Sequence, residues 1–206
     1  MRGGLRRVLF VLGLIAAWGV ASKLAGHFLF PGPLEVAKAL GRGLSDGTLT
    51  HGLLKSLRRL ALGYGMSLTG GVALGVALAR FRPLRETVGS VVLGLQAIPS
   101  VCWLPIALLW FGLNEKAILM VVVLGSLLSI AIATESAVRN VPPLVVRAAR
   151  TMGASGLRLY GSVVLPAALP GIVSGARLGW TFAWRSLMAG ELLFVSGGLG
   201  QVLETG

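Results

Sequence analysis

Arg185 and Glu191 interrupt an apolar run near the end of a 206-residue chain, and these side chains are the ones best placed for chemistry inside it. Guanidinium has no neutral form at physiological pH, so an arginine in an apolar run stays charged. It lies roughly 22 Å beyond Pro170 if the run is helical at about 1.5 Å per residue. There it can serve as a transient attractive site for an anion, with Glu191 orienting it from another helix or another copy. A structural ion pair or an interfacial anchor is the plainer reading of the same two residues. Arg177 is about two turns into the run, where its stem can snorkel to the nearer surface. Glu135 and Arg139 are four apart and form a local pair.

Other chemistry finds no support. Histidine is the usual general base, yet His27 and His51 both fall in one polar segment, away from the serines of the apolar runs. No metal-ligand cluster is present, and the single cysteine, Cys102, excludes an intrachain disulfide. Lys55-Ser56 follows Leu54, so the glycine that would cradle a phosphate in a nucleotide-binding loop is absent. An intramembrane enzyme is therefore a weak alternative, and no ATP hydrolysis is expected on this chain.

The elements that must position Arg185 and Glu191 are membrane spans. The chain is 55% hydrophobic and 13% charged, too few charges for the surface of a soluble domain. Its net charge of +12 is not gathered into the basic patch of a nucleic-acid binder; most arginines sit at the ends of apolar runs. A span needs roughly 20 apolar residues. Candidates are 8–25, 60–79, 87–111, 117–137 and 168–190, an all-α polytopic bundle of about five spans forming one domain over 1–206. Pro99 and Pro105 predict a kink in the third.

Orientation follows from lysine and arginine. With the N-terminus inside, Arg2, Arg6, Arg7, Arg80, Arg82, Arg85, Arg139, Arg147, Arg150 and Arg158 are cytoplasmic. Lys23, Lys38, Arg42, Lys55, Arg58, Arg59 and Lys116 are then outside. The inner charges cluster in short loops, where the rule has most force.

Two spans carry small residues every four positions: Gly63, Ser67, Gly71 and Gly75 in the second, Gly171, Gly175 and Gly179 in the fifth. Such ridges let helix backbones approach closely in lipid, on a neighbouring helix or on each other.

Between the fourth and fifth spans lies a basic insert, VPPLVVRAARTMGASGLRLYGSVVLP at 141–166. Pro142 and Pro143 suit a helix start, and Gly153 suits the left-handed position that ends one. Ser155 can cap the next turn. Ala148 and Ala149 give a low-relief face for a partner's groove, flanked by Arg147 and Arg150 for acidic groups or lipid phosphates. An ordinary positive loop is the plainer reading.

Ala148-Ala149, Gly153 and Val163-Val164-Leu165-Pro166 match the spacing of a loop signature, E-A-A-x-x-x-G followed after nine residues by I-x-L-P. With PGPLEVAKAL at 31–40, LWFG at 109–112 and AWRSLMAGELL at 183–193, the chain resembles the permease of a binding-protein-dependent, type I ABC importer. Within that family it resembles the aliphatic sulfonate, nitrate and taurine branch. Arg147 stands where the signature has an acid, and the family normally has one span more than the five read here. The resemblance implies a multi-pass inner-membrane subunit of an ATP-driven importer for a small anion, with 141–166 as the cytoplasmic coupling loop. It also implies a separate ATPase subunit carrying ATP and Mg, a second permease copy (a homodimer by the simplest reading) and an external solute-binding protein. A secondary transporter without an ATPase is the alternative.

Overall fold

The computed structural model describes residues 2–25, 30–193 and 197–205. His27 lies outside the described residues. The chain forms two compact units, 1–52 and 53–205.

In the first unit, α1 (Arg2–Ala25) is apolar on nearly every face, as befits a helix surrounded by lipid or other spans. Ser22 donates to the Phe30 carbonyl at 2.7 Å and Trp18 to that of Pro31 at 3.1 Å, fixing the chain that enters α2 (Pro33–Ser45). Pro33 opens α2 without forfeiting a hydrogen bond. Glu35 reaches back to the Gly32 N–H at 2.9 Å. With 13 residues α2 is too short to span. Asp46 then accepts the Thr48 hydroxyl at 2.7 Å and the Thr48 N–H at 3.0 Å. Those bonds hold its carboxyl below the ordinary value and start α3 (Thr48–Arg80).

The second unit is built around one helix, α6 (Glu115–Arg139). Asn114 caps it by accepting the Lys116 N–H at 2.8 Å. The small-residue ridge of α3 lies on one side of α6 and that of α8 (Gly156–Leu193) on another. A Cβ at Gly63 would sit 2.7 Å from Val122, at Gly71 2.9 Å from Ile130 and at Gly75 2.6 Å from Thr134. From α8, a Cβ at Gly171 would sit 2.6 Å from Ala137 and at Gly175 2.5 Å from Ala133, and Gly179 abuts Ile130. Ser67 bridges to Ser126 of α6 at 2.7 Å. The two ridges thus share α6 as their common neighbour. Tyr64 joins α3 to α8 separately, donating to the Ala176 carbonyl at 2.8 Å and meeting Trp180 edge to face.

The third expected span is broken rather than kinked. α4 (Arg82–Gln96) and α5 (Ser100–Phe111) meet at 102°. Proline disfavours helical backbone in the residue before it, and here the helix stops ahead of Pro99. Pro105, by contrast, sits in the first turn of the α-helical part of α5, where its missing N–H breaks nothing. Among the described residues, four helices are long and apolar enough to span, or five with the bent pair counted as one. The insert forms α7 (Pro143–Thr151) and then runs into α8, and α9 (Leu199–Thr205) follows.

Candidate functional site

Three arrangements in the second unit concern function, beginning with a cavity of about 270 Å³ at the α4–α5 break. Gln96, Ser100 and Trp103 face it from the break, Ser129 from α6, and Phe182 and Arg185 from α8. Arg185 is exposed, and its guanidinium has no hydrogen bond or ion pair among the described residues. Among the described residues, no carboxylate lines the cavity. The Gln96 carboxamide oxygen is buried and unpartnered, and so is the Ser186 hydroxyl, which abuts Gly125 on the cavity wall. A lone cation with several neutral polar groups and an apolar wall is a setting that can hold an anion. Gln96 and Ser100 escaped the sequence reading because only the break folds them towards α8, and Ser129 because nothing in the α6 sequence marks its face as the one that meets them.

The second arrangement corrects the expectation for Glu191. It does not orient Arg185. Its fully buried carboxylate accepts from Arg59 at 2.9 Å, from the Ser56 hydroxyl at 2.6 Å and from the Gly200 N–H at 3.2 Å. Arg59 also reaches Glu115 at 2.8 Å, and Ser56 accepts the Leu199 N–H at 2.8 Å. Gly198 and Gly200 have no side chain to hold the turn before α9 off the carboxylate. Arg59, expected in the outer segment or at its edge, is 3% exposed; a buried charge needs such a partner. A signal was present: Ser56, Arg59 and Leu60 continue the α3 ridge backwards from Gly63 at helical spacing.

The third arrangement is the insert. α7 ends on Gly153 at φ +85°. The Gly153 N–H bonds the Arg150 carbonyl and the Ala154 N–H that of Ala149, both at 3.0 Å, so the last carbonyls of α7 are satisfied. Ser155 occupies the cap position of α8 without a side-chain cap bond, contrary to expectation. The paired alanines point in different directions. Ala149 is buried against Val138, Val141, Leu159, Val164 and Ala168, the chain's own core; it is not part of a free face. Leu144, Arg147, Ala148 and Thr151, at i, i+3, i+4 and i+7, form the exposed stripe, with Arg150 also exposed. Arg80 comes beside Arg150 here, its guanidinium 5.3 Å from the Tyr160 ring. Glu135 and Arg139 pair at 3.0 Å as expected, and Arg177 lies on an exposed face of α8.

A helical bundle with a broken span, a cavity at the break and a structured basic loop at one end fits a membrane transport subunit. Residues 71–206 match the binding-protein-dependent transport system inner membrane component family, and the chain belongs to that family. It is 28% identical to the taurine transport system permease protein TauC of Escherichia coli, over 97% of this chain and 77% of that protein. It is 30% identical to the bicarbonate transport system permease protein CmpB of Synechococcus elongatus, over 89% of this chain and 69% of that one. Among solved structures, the MetNI methionine ABC transporter in an inward facing conformation superposes with TM-score 0.66 at 26% identity, covering 75% of this chain and 77% of that one. The fold is that of a type I ABC importer permease.

Proposed function

We propose that the chain is the translocation subunit of an ATP-driven importer for a small anion, with residues 1–206 acting as one permease domain. The observation that carries this reading is Arg185, an exposed permanent cation on the wall of the cavity at the α4–α5 break, with no hydrogen bond or ion pair among the described residues. A lone arginine at membrane depth is unfavourable by about 2.5–3.5 kcal/mol on insertion scales. An anion passing the cavity offsets that penalty transiently. The relatives named for taurine and bicarbonate transport support an anionic solute.

The partner ATPase, with its ATP and Mg, docks on the exposed stripe of α7. Leu144 is 71% exposed, and Met152 and Leu157, at the loop's edges, are 86% and 92% exposed. Large apolar side chains left bare among arginines suit a protein interface. Arg80, Arg82, Arg85, Arg139, Arg147, Arg150 and Arg158 belong to the same end of the second unit, which makes that end cytoplasmic by the positive-inside rule. Arg2, Arg6 and Arg7 make the N-terminus cytoplasmic by the same rule applied to the sequence. A second permease copy, in a homodimer, and an external binding protein complete the assembly.

The test is uptake into vesicles that hold the permease, its ATPase and its binding protein. Anion uptake that requires ATP supports the proposal. Uptake by the permease alone, driven by an ion gradient, would instead make it a secondary transporter.

A further inference from the structure

We propose that the cleft between Arg80 of α3 and the α7–α8 turn is a binding site for the phosphate of an anionic phospholipid headgroup. The inference goes beyond the importer reading and depends on neither the solute nor its route. Arg80 and Arg150 both line the cleft, both are exposed, and neither guanidinium has a hydrogen bond or ion pair among the described residues. Among the described residues no carboxylate lines it, and the whole insert 141–166 contains no Asp or Glu.

Arg80 is held by aromatic faces rather than by a counter-ion. Its guanidinium carbon lies 5.3 Å from the centre of the Tyr160 ring and 5.4 Å from that of Phe81. Such contacts leave the in-plane N–H donors free, and two of them can grip a phosphate side by side. Ser155 adds a hydroxyl that makes no cap bond. The cavity of about 580 Å³ holds roughly nineteen water-sized groups, enough for a phosphate with a glycerol on either side.

Position favours a lipid over a protein or a free ion. Arg80 is the last residue of one candidate span, Thr48–Arg80, and the other, Gly156–Leu193, starts at the cleft. Lipid phosphates lie at the ends of spans, and basic pockets between spans capture anionic headgroups there. Tyr160 suits the same boundary. Phe81, 54% exposed beside Arg80, is apolar surface that acyl chains can cover and a free phosphate cannot. Arg150 stands about 100° round α7 from Thr151, off the stripe given to the ATPase. A choline headgroup would bring its ammonium towards two arginines and no carboxylate, so the cleft selects a net negative lipid. A phosphate gripped from both sides ties the end of α7 to the end of α3.

The permease–ATPase complex in neutral detergent is titrated with phosphatidylglycerol, phosphatidylcholine or glycerol phosphate, and the bound molecules are counted by native mass spectrometry. Phosphatidylglycerol should bind about tenfold more tightly than either of the others, the scale of one charge-assisted hydrogen bond. Arg80→Gln and Arg150→Gln, both at exposed positions, should each erase most of that preference. Arg158→Gln removes an equal charge from the same insert outside the cleft and should keep it. Equal affinities for the two lipids, or an equal loss in Arg158→Gln, would reduce the effect to the general attraction of a basic surface and overturn the proposal. Glycerol phosphate binding as tightly as the lipid would give the cleft to a soluble phosphate. Loss of the ATPase from Arg80→Gln and Arg150→Gln, with lipid binding unchanged, would give it to the partner protein. Either result overturns the proposal as well.

Discussion

Arg59 of α3 donates to Glu191 of α8 at 2.9 Å, both side chains buried, and this contact leaves Arg185 unclaimed six residues earlier on the same helix. One arginine is committed to structure; the other has no hydrogen bond or ion pair among the described residues. The pair also anchors the turn leading into α9, through Ser56 and the amides of Leu199 and Gly200.

Removing one member of that pair should destabilise the protein by about 3–5 kcal/mol, because the charge that remains loses its buried counter-ion; Arg59 would still reach the more exposed Glu115. Glu191→Gln or Arg59→Met should lower the unfolding midpoint in lipid sharply. The double variant Arg59→Met/Glu191→Leu should recover most of the loss. Equal stability of the single variants and the unmodified protein would show that the pair holds nothing together.

The shared packing on α6 separates glycines that look alike in sequence. Gly75→Ala and Gly175→Ala should each cost about 1–3 kcal/mol, since a new Cβ meets close-packed neighbours. Gly65→Ala, on the same helix as Gly75, meets nothing within 4 Å and should leave stability unchanged or slightly raised. Thermal unfolding of the three variants in detergent checks the ranking.

The exposed stripe of α7 makes a similar distinction between adjacent alanines. Ala148→Trp should leave the permease folded but abolish ATP-coupled uptake, because the side chain projects from the exposed stripe. Ala149→Trp should fail earlier, by overfilling the core around Val138 and Leu159. Copurification with the ATPase and the yield of folded permease separate these outcomes. Normal coupling in Ala148→Trp would move the docking surface elsewhere.

The spans were legible because apolar runs of membrane length have few other uses. The ridges of Gly63 to Gly75 and Gly171 to Gly179 were legible because helical spacing is regular. Gly153 was readable because a left-handed helix end favours glycine. The sequence did not reveal that Ala149 faces inward, since neighbours on a helix point about 100° apart and composition does not say which one the core takes. It misplaced Arg59, because a charge beside an apolar run reads as a loop until its buried partner, 132 residues away, is known. The cavity depended on the 102° break at Pro99, and a proline predicts a bend without giving its size.

The central claim is that Arg185 serves a passing anion rather than the fold. ATP-dependent uptake of a transported anion by the reconstituted assembly is compared for Arg185→Gln, Arg185→Lys and the unmodified permease, alongside recovery of the intact complex. Arg185→Gln should cut uptake at least tenfold with assembly unchanged, and Arg185→Lys should restore part of the activity by returning a charge. Wild-type uptake in Arg185→Gln, or loss of assembly together with uptake, would contradict the claim.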